Sequence, residues 1–216
     1  MVMSQKFPVA RLFQSAQFVP YPSTLTNHAK GTGQMAFSIL GISGSLRAAS
    51  FNTGLLRAAQ EVAPDGVTVE IADITGIPLY DEDVYQAGFP AAVETLRQQV
   101  AAADAVILAT PEYNFSISGP MKNAIDWVSR PPMPQAFNEK PVAIMGASGG
   151  KLGTARAQYH LRQVLVFLNA HVINKPEVMV GGAASAFADG KLTDETARDL
   201  IRQQLEALQV LAKKVA

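Results

Sequence analysis

From Ala36 onward, short apolar runs alternate with longer stretches of helical periodicity, and that alternation constrains the fold more than any other feature. Phe37-Ser38-Ile39-Leu40-Gly41-Ile42 reads as a buried strand. Asn52 to Ala63 reads as a helix, because Leu55, Leu56, Ala59 and Val62 fall on one face. Pro64-Asp65-Gly66 ends it with turn chemistry, and residues 67–72 supply a second strand. A long connection runs from Asp73 to about Phe89. Pro90 then opens a helix as its first residue, with Val93, Leu96 and Val100 on the buried side. Residues 105–110 form the third strand. Gly119-Pro120 starts a helix to about Ser129, with Ser118 or Gly119 as its cap. Residues 141–146 form the fourth strand, followed by a helix over 154–168. Residues 171–173 and 177–180 make a fifth strand region split by Pro176. Thr193 is the expected cap of the last helix, with Asp194 and Glu195 at its positive end and Lys213 and Lys214 at its negative end.

Five strands alternating with helices predict an α/β domain whose parallel sheet is covered on both faces. Right-handed crossovers leave few topologies, and the doubly wound order 2-1-3-4-5 is the natural one. Ligands in such sheets lie beyond the carboxyl ends of the strands. The loops after strands one, three and four are therefore where chemistry is sought.

Composition narrows the class. The 216 residues suffice for one sizeable domain. Lys and Arg balance Asp and Glu at 18 each, which argues against nucleic acid as a partner, since phosphate backbones select clustered positive charge. There is no cysteine, so disulfides, thiolate metal sites and a Cys nucleophile are excluded; the cytosol is a compatible setting. No apolar run reaches the roughly 18–20 residues of a membrane-spanning helix. The first acid is Glu61, and Pro8, Pro20 and Pro22 interrupt the start of the chain. With Met35 just ahead of the first strand, residues 1–34 read as an extension outside the core domain, 35–216. A targeting segment and an arm packed on a partner subunit are the other readings.

The loop Ser43-Gly44-Ser45-Leu46-Arg47-Ala48-Ala49-Ser50-Phe51-Asn52 holds three serines, an arginine and an asparagine, and no acid. It precedes a helix start, where unpaired N–H groups and a partial positive charge receive a phosphate. Ser45, Ser50 and Asn52 add side-chain contacts, and Arg47 a charge-assisted one. Ser50 or Asn52 taken singly reads equally well as a plain N-cap. No Gly-Lys-Ser/Thr and no Gly-x-Gly-x-x-Gly is present, which removes the Walker and dinucleotide motifs.

Thr110-Pro111-Glu112-Tyr113-Asn114-Phe115-Ser116 follows the third strand. Tyr113 and Phe115 are suited to wall a planar redox ring such as a flavin, and Asn114 to bond its polar edge. Asn114 is also a natural left-handed turn residue, and Glu112 reads equally as a solvated or a helix-capping carboxylate. Hydride transfer to a flavin needs no protein base, so no residue is assigned as catalytic. After the fourth strand, Ser148, Gly149 and Gly150 allow close backbone approach to a ring, or form a plain flexible turn.

Together, Gly44-Ser45-Leu46-Arg47-x-x-Ser50-x-Asn52, Pro111-Glu112-Tyr113-Asn114 and Ser148-Gly149-Gly150 resemble the NADPH-dependent FMN reductase family of the flavodoxin-like superfamily, from about Phe37 to Val215. The resemblance implies a flavodoxin-like fold. It implies FMN phosphate on Ser45, Arg47, Ser50 and Asn52, the isoalloxazine wrapped by Pro111, Glu112, Tyr113 and Asn114, and Ser148 against the ring. It implies NADPH or NADH as co-substrate, a quinone, azo dye, chromate or free flavin as small-molecule acceptor, and a homodimer or homotetramer. Arg156, Tyr159 and Glu177 are interface candidates by the same resemblance, and Trp127 reads as packing near or within an interface. Two rival classes share the fold. A flavodoxin-like electron carrier is usually strongly acidic, unlike this neutral chain. A flavin-binding regulatory module would keep the pocket without turnover.

Overall fold

The computed structural model describes residues 36–215. The expectation for residues 1–34 lies outside them. β1 (Phe37–Ser43) leads into α1 (Phe51–Glu61), β2 (Val67–Ala72), α2 (Glu82–Ala87), α3 (Ala91–Ala102) and β3 (Ala105–Ala109). β4 (Glu112–Tyr113) and β5 (Ser116–Ile117) form a small hairpin ahead of α4 (Gly119–Val128). There follow β6 (Pro141–Ala147), α5 (Ala155–Phe167), β7 (His171–Val172), β8 (Val178–Val180), α6 (Ala183–Ala186), β9 (Phe187–Ala188), β10 (Lys191–Leu192) and α7 (Glu195–Val215).

The main sheet has the order β2-β1-β3-β6-β7, with β8 also on β6, and every pairing is parallel. This is the flavodoxin-like order 2-1-3-4-5. Both faces of the sheet are apolar because both are covered. Ile39 and Ile107 point to one side, where Leu55, Leu56 and Ala59 of α1 and Ile201, Leu205 and Leu208 of α7 bury them. Leu40, Ile42, Val106 and Leu108 point to the other, under Leu96 and Val100 of α3, Met121 and Ile125 of α4 and Leu161 and Leu165 of α5.

The fifth strand is interrupted, as Pro176 leads one to expect, and two buried glutamines serve the gap. Gln204 of α7 donates its Nε2 to the carbonyls of Ile144 and Pro176, and Gln158 of α5 donates to that of Val178. Both tie helices to the sheet where the edge strand breaks.

Three local expectations are corrected. Pro90 is the N-cap of α3 rather than its first residue, its extended ψ of 144° lying outside the helical range. The last helix is capped by Asp194, whose Oδ1 accepts from the Ala197 N–H at 2.8 Å. Thr193 instead turns its hydroxyl to the Ala186 carbonyl. The long connection after β2 carries its own helix, α2, capped by the first member of the Asp81-Glu82-Asp83 run. It is pinned to α4: Asn123 and the Trp127 indole both donate to the Pro78 carbonyl at 2.8 Å. Trp127 is wholly buried, with Tyr80 edge-on at 4.9 Å, so the packing role read for it holds.

Candidate functional site

The loops after β1, β3 and β6 stand side by side because main-chain bonds continue across the carboxyl edge of the sheet. Gly44 N–H donates to Ala109 O, Thr110 N–H to Met145 O, and Ser148 N–H to Val180 O. Ser118 ties the first two loops. Its hydroxyl donates to the Gly44 carbonyl at 2.6 Å and accepts from the Met121 N–H, capping α4. A side chain at 44 has no room there: a Cβ would sit 2.7 Å from Ser118 Oγ and 2.9 Å from Met121 Cβ.

In the first loop, Ser50 is the N-cap of α1 and accepts from the Thr53 N–H at 3.2 Å. Ser43 is buried; its hydroxyl accepts from the Ser45 N–H and from the Thr53 hydroxyl at 2.9 Å. Leu46 and Arg47 are exposed, and Ser45 is half-buried. The Arg47 guanidinium carbon lies 5.3 Å from the Phe51 ring centroid, and Phe51 leans on Phe187 of β9 at 5.0 Å. The main-chain N–H groups of residues 46–52 find no acceptor among the described residues. Seven donors beside an arginine, with no acid in the loop, are the donor set a phosphate dianion fits.

Asn52 behaves differently from its sequence reading. It is buried, with its side-chain amide bonded twice to β6: Nδ2 donates to Ala147 O at 3.1 Å and Oδ1 accepts from Ala147 N–H at 3.0 Å. That side chain is committed to joining α1 to the sheet. Only its main-chain N–H is left for a phosphate.

After β3, the chain doubles back in the β4–β5 hairpin, with Tyr113 opposite Ser116. The two residues between them, Asn114 and Phe115, both have positive φ, 49° and 64°. This is the φ pattern of a type I′ turn, for which Asn-Gly is the favoured pair. Asn114 is thus the left-handed turn residue, and its amide makes no hydrogen bond among the described residues. Phe115 stands where glycine would be unstrained. Tyr113 and Phe115 are 63% and 68% exposed, leaving two aromatic surfaces at the ligand edge.

Glu112 turns the other way. One carboxylate oxygen accepts from the N–H groups of Arg156 at 3.0 Å and Ala157 at 3.1 Å, and the other pairs with the Arg156 guanidinium. It is therefore the helix-capping carboxylate of its second reading. Thr154, the local N-cap of α5, makes no side-chain cap bond; its hydroxyl accepts from Gln158.

After β6, Ser148 bonds the Gly153 carbonyl through its hydroxyl, and Gly150 O accepts from Gly153 and Gly182. The loop is folded on itself, with Gly149 exposed and a Cβ there meeting nothing. Gly146 gives the closest approach, since a Cβ would stand 2.5 Å from the Thr110 carbonyl and closer still to Thr154. Arg156 and His160 are two contributors that spacing alone does not reveal. Both act on the hairpin across 44 residues of chain.

A five-stranded doubly wound sheet, with a donor-rich first loop and an aromatic hairpin at one edge, defines a flavodoxin-like protein. The family model described as NADPH-dependent FMN reductase matches residues 37–185, and the chain belongs to that family. An NAD(P)H-dependent FMN reductase of Pseudomonas aeruginosa is 60% identical over 178 residues, covering 82% of this chain and 96% of that one. A quinone reductase of Escherichia coli is 48% identical over 177 residues, covering 80% and 93%. Among solved structures, a flavoenzyme NAD(P)H:(acceptor) oxidoreductase from Paracoccus denitrificans superposes with a TM-score of 0.75 at 32% identity, covering 83% of this chain and 98% of that one.

Proposed function

We propose that the chain is an NAD(P)H-dependent FMN reductase that passes electrons to a quinone or a similar small acceptor. The observation that carries this reading is the row of free N–H donors in residues 46–52, beside Arg47 and at the start of α1. Bound there, FMN would supply the redox chemistry, taking hydride at N5 from the nicotinamide and delivering two electrons, with protons, to the acceptor. The chain's own residues bind and orient. Leu46, Arg47, Ser50 and Phe51 hold the phosphate end through main-chain N–H groups and the guanidinium, and Ser45 adds its hydroxyl; Ser43 shapes the loop from beneath, and Asn52 contributes its N–H alone. Pro111, Glu112, Tyr113 and Asn114 form the wall for the ring, with Glu112 represented by its main chain. Ser148, Gly149 and Gly150 present a low backbone surface at the opposite edge.

Two substrates that use one open site in turn predict ping-pong kinetics. Initial rates measured against both NADPH and a soluble quinone are expected to give parallel double-reciprocal lines. Intersecting lines would indicate a ternary complex and sink the shared-site reading. An electron carrier of the same fold would bind FMN without rapid bleaching by NADPH alone. A cysteine-free chain and a nicotinamide donor both suit the cytosol.

The chain is proposed to act as a homodimer or homotetramer. Tyr159, Val166 and Phe167 of α5 are exposed, Phe167 by 87%, and Met133 and Phe167 line a common cleft. Aromatic and aliphatic side chains this exposed on one helix mark an interaction face. Phe167→Glu is expected to shift the protein to a smaller assembly in sedimentation. An unchanged assembly would place the interface elsewhere.

A further inference from the structure

The β4–β5 hairpin has no place in the main sheet. It is a two-stranded sheet by itself, each strand two residues long. An isolated ribbon of that size is not stable in water. Its turn is also strained, because Phe115 holds φ at 64° where a side chain crowds the backbone. Something outside the hairpin must fix it.

That fixture is the first turn and a half of α5, which grips both strands. From β4, the Glu112 carboxylate bonds the N–H groups of Arg156 and Ala157 and the Arg156 guanidinium. From β5, the Ser116 hydroxyl lies 2.7 Å from His160 Nδ1. Over the turn itself, the Arg156 guanidinium carbon lies 3.8 Å from the centroid of the Phe115 ring. Arg156 and His160 are four residues apart and so share one face of the helix. The Glu112 side chain is only 5% exposed and has both oxygens occupied, so it has no free position for a ligand or for proton transfer.

We propose that Glu112, with Arg156 and His160, is a positioning residue for the flavin. It caps α5 from a distant strand, and in doing so sets where Tyr113 and Asn114 meet the ring. This rests on the reading that the hairpin walls bound FMN. The cap of α5 and the wall of the cofactor site are then one device, and loosening it displaces the ring's environment without removing any group that touches the ring.

The test compares Glu112→Ala, Glu112→Gln and His160→Ala with Asp194→Ala, which removes an ordinary cap from α7 far along the chain. FMN affinity is measured by fluorescence titration, the ring environment by visible circular dichroism of the bound flavin, and stability by thermal melting. Glu112→Ala is expected to raise the FMN Kd about fivefold and to alter the flavin dichroism, the size of one lost cap carried into binding. Glu112→Gln keeps an oxygen for the N–H groups and is expected to recover most of the affinity. His160→Ala shifts the same signals less. Asp194→Ala lowers the melting temperature but leaves Kd and dichroism at wild-type values. A Glu112→Ala protein that melts early yet binds FMN with wild-type Kd and dichroism overturns the proposal, leaving Glu112 as a cap and nothing more. Should Glu112→Ala not fold, His160→Ala decides the matter by the same readouts, wild-type Kd and dichroism overturning the proposal. Wild-type protein that takes up no FMN would instead overturn the cofactor assignment on which the proposal stands.

Discussion

Arg47→Ala is expected to weaken FMN binding by roughly tenfold to a hundredfold, the range of a charge-assisted hydrogen bond worth about 1.5–3 kcal/mol. Arg47 is exposed and poised above Phe51 in a loop without any acid, so it has no carboxylate neighbour in that loop to hold it back from a phosphate. The fold should be indifferent to the change, because the side chain buries little. Glu112→Gln is expected to move the Kd far less, since its carboxylate faces α5 and an amide oxygen still accepts from the helix N–H groups. Fluorescence titration of both variants at one ionic strength gives the ranking. The reverse order would mean that the phosphate does not lie on the first loop.

Asn52→Ala is expected to destabilise the fold by about 2–5 kcal/mol, because it leaves both buried polar groups of Ala147 without a partner. Each orphaned group costs about 1–3 kcal/mol, and water reaches neither easily. Urea unfolding followed by far-ultraviolet circular dichroism measures the loss in the protein without added FMN. If the variant unfolds at the wild-type midpoint while losing FMN affinity, Asn52 is a ligand after all and its bonds to β6 are dispensable. The two substitutions together separate groups that a motif presents as equals: Arg47 acts on the ligand, and Asn52 acts on the frame that holds the loop.

That separation shows what could be read from the chain before it was folded. The strand order was legible because short continuous apolar runs and period-3.6 stripes are local signals, and a parallel sheet with right-handed crossovers admits few arrangements. The positions of the three loops followed from topology alone. Fine boundaries were less legible: Asp194 and Thr193 are both good caps, and only the approach of Ala186 to the Thr193 hydroxyl decides between them.

The loop at residues 43–52 was recognisable because its chemistry is contiguous: serines, an arginine and no acid at a helix start. Sequence by itself therefore determined the α/β class, the ligand edge and the kind of ligand the first loop suits. It did not determine what each polar side chain does. Asn52 and Ala147 lie 95 residues apart, and Glu112 and Arg156 lie 44 apart. A hydrogen bond spanning such a distance depends on where two helices settle on the sheet, and no local spacing encodes that. Only the tertiary structure decided that Asn52 braces the sheet, that Glu112 caps a helix formed much later in the chain, and that the hairpin facing the site is held in place by α5.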